Sequence, residues 1–179
     1  MDEQLVAFPP KKLERELYLI GFRMDPGAEG AEFYTLIGSE GDGERPITRG
    51  GRLLFFRTPG AAGRALAASD NGFGDAGPAP EELELLCDIG AALHVANQED
   101  EDGDGVLFEL IAVFDDLLRE IKLTVPGEYT AVLAAVAERL GESVEFASFL
   151  AAGEIARERL EDALLWCVGA VAAKSSWVE

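Results

Sequence analysis

Histidine and cysteine, the side chains on which many catalytic and metal centres depend, are nearly absent from the chain. Of its 179 residues, one is a histidine, His94, and two are cysteines, Cys87 and Cys167. A single histidine excludes multi-histidine metal sites and argues against a Ser-His-Asp triad. Two cysteines form no disulfide framework, and both lie in apolar stretches that favour buried free thiols. We expect His94 to be hydrogen-bonded and partly buried at a helix end.

The sequence also lacks long apolar runs and the motifs of common catalytic centres. It contains no run of 18 apolar residues, so we predict no transmembrane helix. Its first residues, MDEQLVAFPPKKLERE, open acidic and lack the basic-then-apolar layout of a secretory signal, which predicts a cytoplasmic protein. No G-x-S-x-G, Walker A, H-E-x-x-H or C-x-x-C motif occurs. The overall composition, 48% hydrophobic and 27% charged, is typical of a globular chain.

Basic residues are scarce, and their scarcity is uneven along the chain. The formal net charge is −19. Residues 1–64 hold nine Lys/Arg and ten Asp/Glu, whereas residues 65–179 hold six Lys/Arg and 24 Asp/Glu. Between Arg64 and Arg119 there is no Lys or Arg, against fourteen acidic residues. Such a charge opposes nucleic-acid phosphates and anionic membranes and favours a cationic partner, either a basic protein or a metal ion.

The first third of the chain has the patterns of β-strands. Aromatic and aliphatic runs bounded by turn residues predict three strands, and a shorter one is expected near Ile47. Thr58-Pro59 is typical of a helix start. The strands are predicted at 16–24, 31–38 and 51–59, and the helix at 59–69, which gives a β-β-β-α module over residues 1–70.

The remainder of the chain has helical spacing throughout. Residues 71–80 are rich in glycine and proline and are interpreted as a linker. Helices are predicted from Pro80, with Leu83, Leu86 and Cys87 on one face, and then over about 106–124, 129–140, 142–153 and 154–173. The last is apolar on all sides from 163 to 173, which fits either a bundle centre or a homodimer interface.

These patterns predict an α+β fold. A small, mostly antiparallel N-terminal sheet of three to four strands plus one helix would be followed by an acidic bundle of four to five helices. The acidic helical lobe would cover residues 81–179, and the alternative is one compact domain that includes the first module.

The most acidic stretch is QEDEDGDGVLFEL, residues 98–110. Asp100, Asp102 and Asp104 alternate and are followed by Gly105, which resembles the first half of an EF-hand calcium loop. Position 12 of such a loop is a bidentate Glu, whereas this chain has Ile111 there, and no second loop is present. The three aspartates are therefore candidate calcium ligands, and the alternative interpretation is a solvated acidic turn.

Two other motifs favour structural interpretations. Gly72, Gly74 and Gly77 match G-x-G-x-x-G, but the match does not join a strand to a helix as a dinucleotide site requires. Asp115 and Asp116 form a carboxylate pair of the kind used in acid–base chemistry, but the spacing of Asp115 and Arg119 predicts an i,i+4 ion pair.

The leading hypothesis is a non-catalytic cytoplasmic binding protein. Its acidic helical lobe would engage a basic partner protein, as immunity or antitoxin-like inhibitors do. The alternatives are a calcium-binding helix-loop-helix protein and an enzyme of unrecognised type that uses His94 or the Asp115/Asp116 pair. The residues predicted to contact the partner are Glu99, Asp100, Asp102, Asp104 and Glu109.

Overall fold

The computed structural model describes residues 15–41, 43–97, 104–141, 153 and 155–179. These residues form a mixed sheet of seven strands and five α-helices, which confirms the α+β class. The strands are β1 (Arg15–Arg23), β2 (Phe33–Glu40), β3 (Gly43–Pro46), β4 (Thr48–Arg49), β5 (Arg52–Phe56), β6 (Leu83–Asp88) and β7 (Ser175–Val178). The helices are α1 (Ala62–Ala68), which follows a 3-10 turn at Pro59–Ala61, α2 (Ile89–Asn97), α3 (Asp104–Glu120), α4 (Gly127–Gly141) and α5 (Arg157–Ala173).

The antiparallel β1–β2 pair lies within the sheet, and the other strands pair on either side of it. β1 and β2 are antiparallel, and β2 also pairs with β3 and with the end of β5. Ile47, between β3 and β4, donates its backbone N–H to Leu36 (2.9 Å) and accepts one from Leu54 (3.1 Å), so the expected strand near this residue is confirmed. Two parallel strands from later in the chain complete the sheet. β6 pairs with β1, and β7 pairs with β5.

The sheet corrects the prediction for the second half of the chain. The helix predicted from Pro80 is wrong over Leu83–Asp88, which forms β6, and α2 begins only at Ile89. Six residues are too few for periodicity to separate a strand from a helix, and pairing with β1 decides the outcome. Asp88 then starts α2, because its Oδ1 accepts the backbone N–H of Ala91 at 2.8 Å. The sheet therefore has seven strands, not three or four.

Two apolar cores lie on the two faces of the sheet. Strand alternation sends Leu53 and Phe55 into one core and Leu54 and Phe56 into the other. This double burial explains why the β5 sequence is apolar at every central position. The first core contains residues of α2, α3, α4 and α5, and the second contains residues of α1 and the side chain of Phe73.

Residues 70–80 are fixed to the second core although they form neither helix nor strand. Phe73 is buried, and its ring lies directly over the Cα of Gly38, where a Cβ would collide with it. Asn71 accepts the backbone N–H of Thr48 (3.2 Å) and donates to the carbonyl of Pro46 (2.8 Å). Glycines allow the backbone to follow this irregular path, since Gly72 and Gly77 both have positive φ.

The later helices agree with their predicted positions within a few residues. α3, α4 and α5 contact one another, and α2 contacts both α3 and α5. The helix predicted within residues 142–153 lies almost wholly outside the described part of the chain, so the acidic bundle of four to five helices stays a prediction. No helix within the described ranges is long and apolar enough to cross a membrane.

Candidate functional site

The structure locates only part of the predicted partner-binding set. Glu99, Asp100 and Asp102 lie outside the described residues, and Asp104 is the first residue of α3. Glu109 is described and is exposed on α3. Within the described ranges, no group of three or more His, Cys, Asp or Glu side chains is placed to hold a metal ion. The calcium interpretation of the aspartate loop therefore stays a prediction.

Glu109 lies in a cleft that sequence patterns did not reveal. The cleft has a volume of about 470 Å³ and lies between α3 and the strands β1, β3 and β6. We call it the acidic cleft because four carboxylates and one tyrosine supply its polar lining. These residues are Tyr18, Glu44, Glu84, Glu109 and Asp116.

Each wall of the acidic cleft follows from local structure. A register shift between Leu19 and Ile20 leaves Glu84 as an extra residue in β6, because Leu19 pairs with Leu83 and Ile20 pairs with Leu85. An extra residue of this kind redirects the neighbouring side chains, and both Glu84 and Leu85 line the cleft. On α3, Glu109 and Asp116 are seven residues apart and therefore share one side of the helix.

Carboxylates beside and inside the acidic cleft raise the pKa of Tyr18, and the largest effect comes from Glu16, which does not line the cleft. The hydrogen bond that its hydroxyl donates to Glu16 raises the pKa of Tyr18 above its ordinary value. Partial desolvation and the charges of Glu16, Glu44 and Glu84 raise this pKa further. No side chain in the described part of the chain forms an ion pair with Glu44, Glu84 or Glu109. Their charges are thus available to an external cation.

One end of the cleft region is fixed by a network around Glu120. Arg45 on β3 donates to both carboxylate oxygens of Glu120, at 3.0 and 3.1 Å. The Nδ2 of Asn71 donates to the same carboxylate at 3.1 Å. Arg45 also lies 6.0 Å from the ring centroid of Phe73. These contacts tie the end of α3 to the sheet, so the wall that carries Asp116 is held in place.

A second concavity lies on the opposite side of α3. It has a volume of about 360 Å³ and lies between α3, α4 and α5. Apolar side chains dominate its lining, and we call it the apolar groove. They include Ile111, Phe114, Leu118, Leu133, Ala134 and Cys167. Phe108 and Ala112 line both concavities and form a ridge between them. Phe108 is 43% exposed, which is unusual for a phenylalanine.

The residues considered for enzymatic chemistry are not brought together. His94 lies on α2 and is exposed, so the expected partial burial is wrong. Both Asp115 (3.5 Å) and Asp116 pair with Arg119, and the predicted i,i+4 ion pair is confirmed. Cys87 and Cys167 are buried free thiols, as expected.

Burial also makes the two thiols poor nucleophiles. Desolvation, with a smaller contribution from the charge of Glu109, raises the pKa of Cys87 from 9.0 to about 12. Desolvation raises the pKa of Cys167 from 9.0 to about 11. Reactive cysteines have lowered pKa values, so these shifts are opposite to those of a catalytic thiol.

Comparisons of the chain with protein-family models, with curated proteins and with solved structures found no significant match. The interpretation of the site therefore depends on its own geometry and charge. Three of its residues, Tyr18, Glu44 and Glu84, were missed by sequence reasoning. Glu84 could be placed only once β6 was known to be a strand. The one sequence signal that pointed to this region was the acidic stretch between Arg64 and Arg119, which contains no Lys or Arg.

Proposed function

We propose that the protein is a non-catalytic binding protein that engages a basic partner protein, in the manner of an immunity or antitoxin-like inhibitor. The observation that carries the proposal is the acidic cleft, in which Glu44, Glu84 and Glu109 have no cationic partner among the described residues. Carboxylates left unpaired in one concave site repel one another, and a cation from outside relieves that repulsion. We place this activity in the cytoplasm, where free thiols such as Cys87 persist.

The composition of the cleft favours arginine or lysine side chains as the bound groups. Carboxylates accept charge-assisted hydrogen bonds from a guanidinium, and Tyr18, an aromatic residue of the kind on which planar cations stack, also lines the cleft. Complementary charge of this kind mainly accelerates association and selects the partner, and it contributes less to affinity. Binding should therefore weaken as salt is added, because salt screens charges that are exposed.

Affinity capture with two charge-matched variants tests the proposal. The cleft variant combines Glu44→Gln, Glu84→Gln and Glu109→Gln. The control variant combines Glu29→Gln, Glu138→Gln and Asp162→Asn, which replaces three exposed carboxylates elsewhere on the surface. Both variants change the net charge by the same amount, so a difference between them reports on position and not on total charge. Circular dichroism confirms that both remain folded.

We expect the unmodified chain to recover a basic protein from a lysate of the source cell, identified by mass spectrometry. The control variant should recover the same protein, whereas the cleft variant should lose it. Recovery of no basic protein, or equal loss by both variants, would contradict the proposal. A third variant, Asp100→Asn with Asp102→Asn and Asp104→Asn, tests the partner-binding site predicted from sequence in the same experiment.

A further inference from the structure

We infer that the basic partner docks through an amphipathic helical segment lying along α3, with its apolar side chains in the apolar groove and its Lys or Arg side chains in the acidic cleft. This inference rests on the proposed function and adds the form of the recognised segment. It follows from the arrangement of two concavities of different chemistry on the two sides of one helix.

The residues of α3 divide into three stripes. Phe108 and Ala112, four residues apart, form the exposed ridge. Ile111 lies on the groove side of this ridge, and Glu109 lies on the cleft side. Because residues three or four apart share a helix face, each stripe runs along the helix axis. A ligand with the same period would meet apolar and acidic side chains along its whole length.

Charge complementarity identifies the occupant of the apolar groove. An apolar groove alone would accept any hydrophobic segment. This groove is bordered along the ridge by the acidic cleft, in which Glu84 and Glu109 have no ion-pair partner in the described part of the chain. An acidic or neutral segment in the groove would leave these carboxylates unpaired beside it. A segment with basic residues on one flank would pair with them and bury Phe108 at the same time.

The dimensions of the surface set the length of the segment. Phe108 and Asp116 are the first and the last residues of α3 that line the cleft, and the stretch between them covers just over two helical turns. At about 1.5 Å per residue this stretch is roughly 12 Å long, which a helix of about three turns would cover. The segment should therefore carry apolar residues at i, i+3, i+4 and i+7, with Lys or Arg on the adjacent side.

Fluorescence anisotropy with two designed peptides tests the inference. Each labelled peptide has about 14 residues, and the two have the same leucine and arginine content. In one the leucines form a single helical face, and in the other they are scattered so that no face exists. We expect the full chain to bind the amphipathic peptide at least 10-fold more tightly than the scrambled peptide. Ala112→Arg should remove this preference, because it places a bulky cation on the ridge.

Ala67→Arg is the matched control, since Ala67 is an exposed helical alanine on α1, on the other face of the sheet. It should leave the preference unchanged. Equal binding of the two peptides would overturn the inference and leave the proposed function standing. Binding of neither peptide would overturn both.

Two further results would assign the groove to another occupant. If sedimentation shows a dimer that Ala112→Arg dissociates, the groove binds a second copy of this chain. If Ala112→Arg lowers the melting temperature of a monomer by several degrees while Ala67→Arg does not, a segment of the same chain covers the groove. Either result would overturn the inference.

Discussion

Native Cys87 should resist thiol reagents far more than an ordinary cysteine does. Only the thiolate attacks such reagents, and burial raises the pKa of Cys87 from 9.0 to about 12. At pH 8 a thiol with a pKa of 9.0 is roughly 9% ionised, whereas one with a pKa of about 12 is about 0.01% ionised, which is about 1,000-fold less. A more basic thiolate is a better nucleophile, so each thiolate that does form reacts about 15- to 30-fold faster. Ionisation alone should thus slow labelling by about 30- to 60-fold, and the 1% exposure of the side chain slows it further.

The same pKa shift predicts how stability depends on pH. The fold favours the neutral thiol, so the unfolded chain ionises first as the pH rises. The contribution of Cys87 to stability is therefore complete below pH 9 and is lost between pH 9 and about 12. At pH 10 the loss should be about 1.4 kcal/mol, the equivalent of one pKa unit. The free-energy cost of Cys87→Ala should then be smaller at pH 10 than at pH 7.5 by that amount.

Single-thiol variants make both effects measurable. In Cys167→Ala, the release of thionitrobenzoate from Ellman's reagent reports Cys87 alone, with the denatured protein as the reference for an accessible thiol. Urea unfolding at the two pH values gives the stability difference. Native labelling at the denatured rate would refute the reasoning, and so would a cost of Cys87→Ala that does not change with pH. Glu109→Gln should speed labelling slightly, since the charge of Glu109 contributes to the shift.

Two further predictions concern the supports of the fold. Phe73→Ala should destabilise the protein by about 3–5 kcal/mol in urea unfolding, because it empties a buried site over Gly38, whereas Leu165→Ala, on an exposed surface, should cost less than about 1 kcal/mol. A small cost for Phe73→Ala would mean that residues 70–80 are not anchored. Asp88→Asn should lower the free energy of unfolding by about 1–3 kcal/mol, because it removes the charge that pairs with the partly buried Arg23. Asp88→Ala should lower it by about 1 kcal/mol more, because it also removes the cap of α2. Equal costs for the two Asp88 variants would exclude the capping role.

Local patterns were enough to predict β1, β2 and β5, since these strands lie close together in sequence and form antiparallel pairs. Each of these strands has fewer than ten residues, and its aromatic and aliphatic pattern can be recognised within that length. Parallel strands give no such signal, because their partners are distant in sequence. β6 pairs with β1 across more than 60 residues, and β7 pairs with β5 across more than 110. The helical spacing of Leu83, Leu86 and Cys87 therefore led to the wrong element.

The candidate site was missed for the same physical reason. Charge counting identified an acidic region and Glu109, but it could not identify which other carboxylates lie near Glu109. Glu44 and Glu84 are 40 residues apart in sequence and line the same cleft only because β3 and β6 belong to one sheet. Tyr18 enters the site through the β1–β6 pairing. Composition can thus predict the sign of a surface, whereas the shape of the site depends on long-range pairing.

The position of β6 also bears on why the cleft can remain acidic. Unpaired carboxylates destabilise a fold when they are buried, but Glu44, Glu84 and Glu109 are all exposed, so water screens most of their repulsion. The buried acidic residue on β6, Asp88, is by contrast fully engaged by Arg23 and the N-terminus of α2. The buried carboxylate, whose desolvation would destabilise the fold, is thus paired. The unpaired carboxylates are the exposed ones, which a partner can reach. A cleft variant that binds no partner should therefore be no less stable than the unmodified chain, since removing like charges relieves repulsion. A large loss of stability in that variant would assign the three glutamates a structural role instead.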